Sequence, residues 1–172
     1  MNKPMKLLII TFTVFVFVLT SCNIFSKPTF SLPDTMPKDF GFVLDYGVLE
    51  KNQLDTIKGT YTKDLILAPQ VTTDLVLSDT KMAEIYQMMK DIDILSYPET
   101  YTVTSDVHMT PYQSYSITIT YDGKTKSIHW DDESGSDETK ALKLRELFAR
   151  IHEIVSETAQ YKQLPEAQGG YD

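Results

Sequence analysis

Tyr112 to Trp130 reads YQSYSITITYDGKTKSIHW. In its first half Tyr115, Ile117, Ile119 and Tyr121 fall on alternate positions with serines and threonines between them, the period of a strand with one buried and one wet face. Asp122-Gly123 interrupts the run, and a two-residue type I′ turn demands positive φ at both central positions, which these residue types tolerate best. Lys124 to Trp130 is then the returning strand. Its His129 and Trp130 must point to opposite faces, one to the core and one to water, because strand side chains alternate.

Outward from this hairpin, the C-terminal flank carries Leu144, Leu147, Phe148, Ile151, Ile154 and Val155, one apolar stripe on a helix from about Asp137 to Glu157. Towards the N-terminus, Met82, Ile85, Tyr86, Met89 and Ile92 repeat at helical spacing. Ser78 is the expected N-cap of that helix, Asp79 suits its first turn, and it should end near Asp93. Three strand regions precede it: Phe42, Leu44, Tyr46 and Val48 alternate; Glu50 to Gln53 is a turn; Ile57, Gly59, Tyr61 and Lys63 form a second strand with Gly59 as a bulge; Leu75 to Leu77 closes a third. Tyr97 to Pro111 reads as a long loop. The expectation is an α+β fold, an antiparallel sheet with two helices packed on one face in the order β-β-β-α-β-β-α.

The chain has 172 residues, of which 42% are hydrophobic and 23% charged, a composition suited to one packed domain. We place that domain at 40–163, with 164–172 as a loose tail containing Pro165 and Gly169-Gly170. The formal charge is −8. Such a balance repels phosphate backbones, and no basic stripe with interleaved aromatics follows residue 22, so nucleic acid is not an expected partner.

Met1 to Lys6 carries two lysines, and Leu7 to Val18 (LLIITFTVFVFV) is an unbroken apolar run, long enough for the core of an export signal and short of the roughly twenty residues that span a bilayer. Leu19, Thr20, Ser21 and Cys22 follow. This segment resembles the lipobox of bacterial lipoproteins, and Trp130 to Glu138 (WDDESGSDE) followed by a helix is similar to small lipoproteins of Bacillus-type bacteria. The resemblance implies a signal peptide over 1–21, a diacylglyceryl group on the Cys22 sulfur, and cleavage that makes Cys22 the mature N-terminus. It therefore implies a protein anchored by lipid to the cell membrane on its extracytoplasmic side, and it carries no activity with it. Cys22 is the sole cysteine, so an intramolecular disulfide is impossible. Asn23 to Lys38 holds three prolines and no periodic pattern, so 22–39 reads as the lipidated cysteine and a flexible spacer.

For chemistry, Asp131, Asp132, Glu133 and Asp137 are the candidate ligands for a hard cation, which prefers oxygen. The spacing does not match an EF-hand, because Leu142 stands where the twelfth-position glutamate belongs. The preferred reading is a strand-to-helix loop, with Ser136 as N-cap and Asp137 and Glu138 in the first turn. His108, His129 and His152 lack zinc-site spacing, and His152-Glu153 is followed by Ser156 rather than histidine. Nucleophile elbows, phosphate loops and dinucleotide glycine patterns are missing, so neither a catalytic residue nor a cofactor is assigned. Trp130, Tyr112, Tyr115 and Tyr121 read either as an aromatic ligand face or as cross-strand packing. Three functions follow in order of preference: a non-enzymatic domain binding a protein or envelope component, a hydrolase acting on envelope material, and a cation module using residues 131–138.

Overall fold

The structure is a computed structural model that describes residues 31–171. The expected signal peptide and Cys22 lie outside the described residues. Among those described, no helix is long and apolar enough to cross a membrane.

Central to the fold is the hairpin of β6 (Gln113–Tyr121) and β7 (Lys124–Asp132). Its turn has positive φ at both Asp122 and Gly123, as a type I′ turn requires. Asp39 clamps the turn, its carboxylate accepting hydrogen bonds from the amides of Asp122 (2.9 Å) and Gly123 (2.7 Å). On the other side of β6 lies β1 (Gly41–Gly47), followed outward by β2 (Asn52–Asp55), β3 (Thr60–Leu65) and β4 (Ala68–Asp74), all antiparallel. A two-residue strand, β5 (Thr100–Tyr101), closes the far edge of the seven-stranded sheet, in the order β4-β3-β2-β1-β6-β7-β5.

This corrects the expected fold in three respects. First, the sheet is mixed, because β5 runs parallel to β7 through the registers Thr100↔His129 and Tyr101↔Trp130; two residues inside a polar loop have no readable period. Second, β2 begins inside the turn expected at Glu50 to Gln53, and the strand expected through Ile57 starts only at Thr60, as β3. Asp55 accepts hydrogen bonds from the amides of Ile57 (3.0 Å) and Lys58 (2.9 Å), an Asx turn that ends β2 and leaves Ile57 61% exposed. Gly59, at φ 68°, belongs to that turn and is not a bulge; Leu75 to Leu77 lie beyond β4, although Leu75 and Leu77 are buried. Third, there are three helices: α1 (Asp79–Asp91), α2 (Thr139–Ser156) and the four-residue α3 (Ala159–Lys162). Ser78 caps α1 by accepting the Lys81 amide. Ser136 does not cap α2, whose N-cap is Glu138; its hydroxyl accepts the Glu138 amide in the preceding turn instead.

Alternation then sorts the sheet into two faces. Phe42, Leu44, Tyr46, Ile117, Ile119, Ile128 and Trp130 join Ile85, Tyr86 and Met89 of α1 and the α2 stripe in one core. The opposite face is polar, and its cross-strand neighbours bond to one another: Asp45 with Gln53, Thr62 with Thr72, and Thr118 with Ser127. Leu32, within the segment read as spacer, is buried in the core at 2% exposure, and Tyr86 donates to the Pro33 carbonyl. At the other terminus, Gln168 bridges to Ile66, and Tyr171 donates to the Asp64 carboxylate, so the tail through Tyr171 lies along the β3–β4 turn. The chain thus enters beside the β6–β7 turn, and the opposite end of β1 lies about 20 Å away at the rise of a strand.

Candidate functional site

At that opposite end, between the sheet and α2, is a cleft of about 300 Å³. Strand β1 supplies Tyr46 and Gly47, β2 supplies Asn52, β6 supplies Gln113 and Tyr115, and α2 supplies Phe148, Ala149 and His152. These residues meet because Tyr46 is in register with both Asn52 and Tyr115. Gly47 is a required glycine: its φ is 99°, and a Cβ there would stand 2.7 Å from the Asn52 amide nitrogen. That amide group is fixed by donating to the Tyr46 carbonyl (3.3 Å) and accepting from the Asp64 amide (3.0 Å).

The aromatic wall is a stack. Tyr115 lies 4.6 Å from Phe148 at 19°, and its ring also stacks on Trp130 at 5.6 Å. Deeper in, the Tyr46 hydroxyl joins the Tyr61 hydroxyl (2.8 Å) and His152 Nδ1 (2.9 Å). Burial pushes both phenols well above their ordinary range, and burial followed by the Lys63 charge lowers His152, favouring its neutral imidazole. Lys63 itself is buried behind this network, its ammonium over the Tyr161 ring at 4.6 Å and 3.7 Å from Glu166. The neutral lining of phenol, imidazole, amide and ring offers hydrogen bonds and stacking surface; among the described residues, the cleft wall has neither a carboxylate nor an ammonium group.

Beside the cleft the chain turns from β1 into a 3-10 turn (Val48–Glu50) with Leu49 and Glu50 both at positive φ, each costing about 1–2 kcal/mol in a non-glycine residue. The turn lays Glu50 on the polar sheet face, where its carboxylate is 2.6 Å from Ser116 Oγ and 3.1 Å from His129 Nδ1. Ser116 Oγ is also 2.9 Å from His129 Nδ1, and His129 Nε2 is 3.4 Å from Asp131. Serine, histidine and acids are therefore adjacent here, a grouping that sequence separation hides. The amides flanking Ser116 are engaged in ladders with β1 on one side and β7 on the other, so the strand around Ser116 provides no backbone donors for an oxyanion.

The residues singled out from sequence are dispersed. Asp132 is held bidentately by Arg145, with 2.6 Å between Nη2 and Oδ1. Asp131 accepts from Ser114 (2.6 Å), Glu133 pairs with His108 (3.3 Å), and Glu138 accepts from Tyr101 (3.0 Å). Among the described residues, no group of three or more histidine, cysteine or acidic side chains is arranged to hold a metal ion, and Asp131, Asp132, Glu133 and Asp137 do not form one. His108, His129 and His152 serve three separate surroundings. Trp130 is core and His129 is on the wet face. Of the tyrosines weighed as a ligand face, Tyr115 lines the cleft; Phe148 reads only as part of the helix stripe, and Asn52, Gln113 and Ala149 have no sequence signal, because they converge only through strand pairing and helix packing. Comparison with family models, curated proteins and solved structures finds no match to this chain.

Proposed function

We propose that this chain is a lipid-anchored extracytoplasmic binding protein, tethered through Cys22 and recognising an envelope component non-covalently in the cleft between β1, β6 and α2. One observation carries the binding half of this reading: the cleft gathers aromatic surface and uncharged hydrogen-bonding groups, with no carboxylate on its wall to pair with His152 as a general acid or base. The layout of the domain supports it. The described chain enters at the β6–β7 turn, through Asp39 and its two amide contacts, while the cleft is at the opposite end of the strands. A domain tethered at the first end through a flexible spacer is free to present its cleft away from the membrane. Two acyl chains on Cys22 would hold it stably, where one would bind marginally.

Fractionation of the producing bacterium tests the reading. The wild type is expected in the membrane fraction and degraded by protease acting from the extracytoplasmic side, with Cys22→Ala losing lipid-dependent membrane association. A wild type that fractionates as a soluble protein, or that is protected from such protease, contradicts it.

A further inference from the structure

The cleft has hydrogen-bonding capacity that the protein does not use. Gln113 and His152 are both exposed at the mouth of the cleft; among the described residues, His152 bonds through Nδ1 to Tyr46 but has no protein partner at Nε2, and the Gln113 side-chain amide has none, so water serves both. This contrasts with the polar sheet face, where Asp45, Thr62, Thr118 and Ser114 are each satisfied by a cross-strand neighbour. A surface whose polar groups already satisfy one another gains little from a ligand, whereas donors and acceptors that bond only water can exchange it for a ligand's hydroxyls at a net gain of about 0.5–1.5 kcal/mol each.

The chemistry of the wall narrows the ligand. A carboxamide both donates and accepts, as does a neutral imidazole, so Gln113 and His152 suit hydroxyl groups, which do the same. Tyr115 is half-buried, its ring held between Phe148 and Trp130, so its open edge and the exposed Ala149 methyl supply apolar surface for the body of the ligand. A bound anion would find no ammonium on the wall and a chain of net charge −8 around it; a bound cation would find no carboxylate on the wall. A volume of about 300 Å³ is at the small end of ligand pockets, room for one ring rather than a large molecule.

We propose that the cleft binds a neutral, hydroxyl-bearing ring, a single sugar residue of an envelope glycan, whose hydroxyls bond Gln113 and His152 while its ring lies against the open edge of Tyr115. This rests on the cleft being the binding site of the domain and names the ligand class it takes; only the envelope source of the sugar depends on the lipid anchor.

Trp130 is the only tryptophan and stacks on Tyr115, so its fluorescence reports on the cleft wall. The full chain, held in a detergent without a sugar headgroup, is titrated with glucose and with N-acetylglucosamine, and separately with phenol as an apolar ring. The expected result is a saturable response to at least one sugar with a Kd of roughly millimolar, weakened about fivefold or more in Gln113→Ala and lost in Ala149→Leu, which fills the cleft from an exposed helix position. Circular dichroism confirms that both variants fold. If phenol saturates the response, Ala149→Leu abolishes it and neither sugar binds, the sugar assignment is overturned while the cleft stands as a binding site. If none of the three ligands binds, both the sugar assignment and the binding role of the cleft are overturned.

Discussion

Asp55 is only 2% exposed, and burial alone would raise its carboxyl; the Lys58 amide, the Lys58 ammonium at 3.0 Å and the Ile57 amide more than compensate and hold it below the usual carboxylate range. A depressed folded value means that its stabilisation is complete above the unfolded value of about 3.9 and is lost as pH falls through the folded one. Asp55→Ala should therefore cost about 1–3 kcal/mol at pH 7, measured by urea unfolding. The gap to wild type should narrow steadily below about pH 4. An equal gap at pH 7 and pH 3 would show that the charge of Asp55 is not what holds the turn. His152 follows the same sign by another route: burial and Lys63 disfavour its cation, so its protonation works against the folded state as the solution is acidified.

At the scale of elements, the sheet and α2 depend on each other. Leu147 is fully buried in the middle of the α2 stripe, and truncating such a side chain removes transfer energy and leaves a cavity. Leu147→Ala should lower stability by about 2–5 kcal/mol as read by denaturant unfolding; a loss near that of an exposed position would contradict the packing. The same elements show what periodicity can and cannot reveal. The β6–β7 hairpin was readable because its turn needs two unusual φ values and its first strand alternates from Tyr115 to Tyr121. Both long helices were readable from their stripes. The split between β2 and β3 was not, since Ile57 falls in phase with Tyr61 and only the hydrogen bonds of Asp55 end the strand. Strand β5 gains its identity from pairing with β7, and α3 is one turn begun by the Thr158 hydroxyl accepting the Tyr161 amide, too short for any stripe.

For the molecule as a whole, the two ends of the sheet have different characters. One end receives the chain, with Asp39 on the β6–β7 turn and Leu32 packed below it. The other holds the cleft, the positive-φ turn at Leu49 and Glu50, and the C-terminal residues along β3–β4. Leu49 is 73% exposed there, an apolar side chain offered to solvent by a backbone that costs energy to hold, a combination common where a surface makes contacts. Of the cleft residues, sequence offered Tyr115 as part of a possible ligand face, Tyr46 and Phe148 as members of a strand and a helix stripe, and His152 only as a histidine without zinc-site spacing. Their association with Asn52 and Gln113 is a property of strand register across the sheet, which no local pattern contains. The proposed anchor stands in the reverse position: it is an expectation drawn from residues 1–22, which lie outside the described residues. Intact mass spectrometry of the mature protein tests it most directly: an N-terminal fragment beginning at Cys22 with a lipid-sized increment is expected, and an unmodified Cys22 or a different first residue would contradict the lipid-anchored reading.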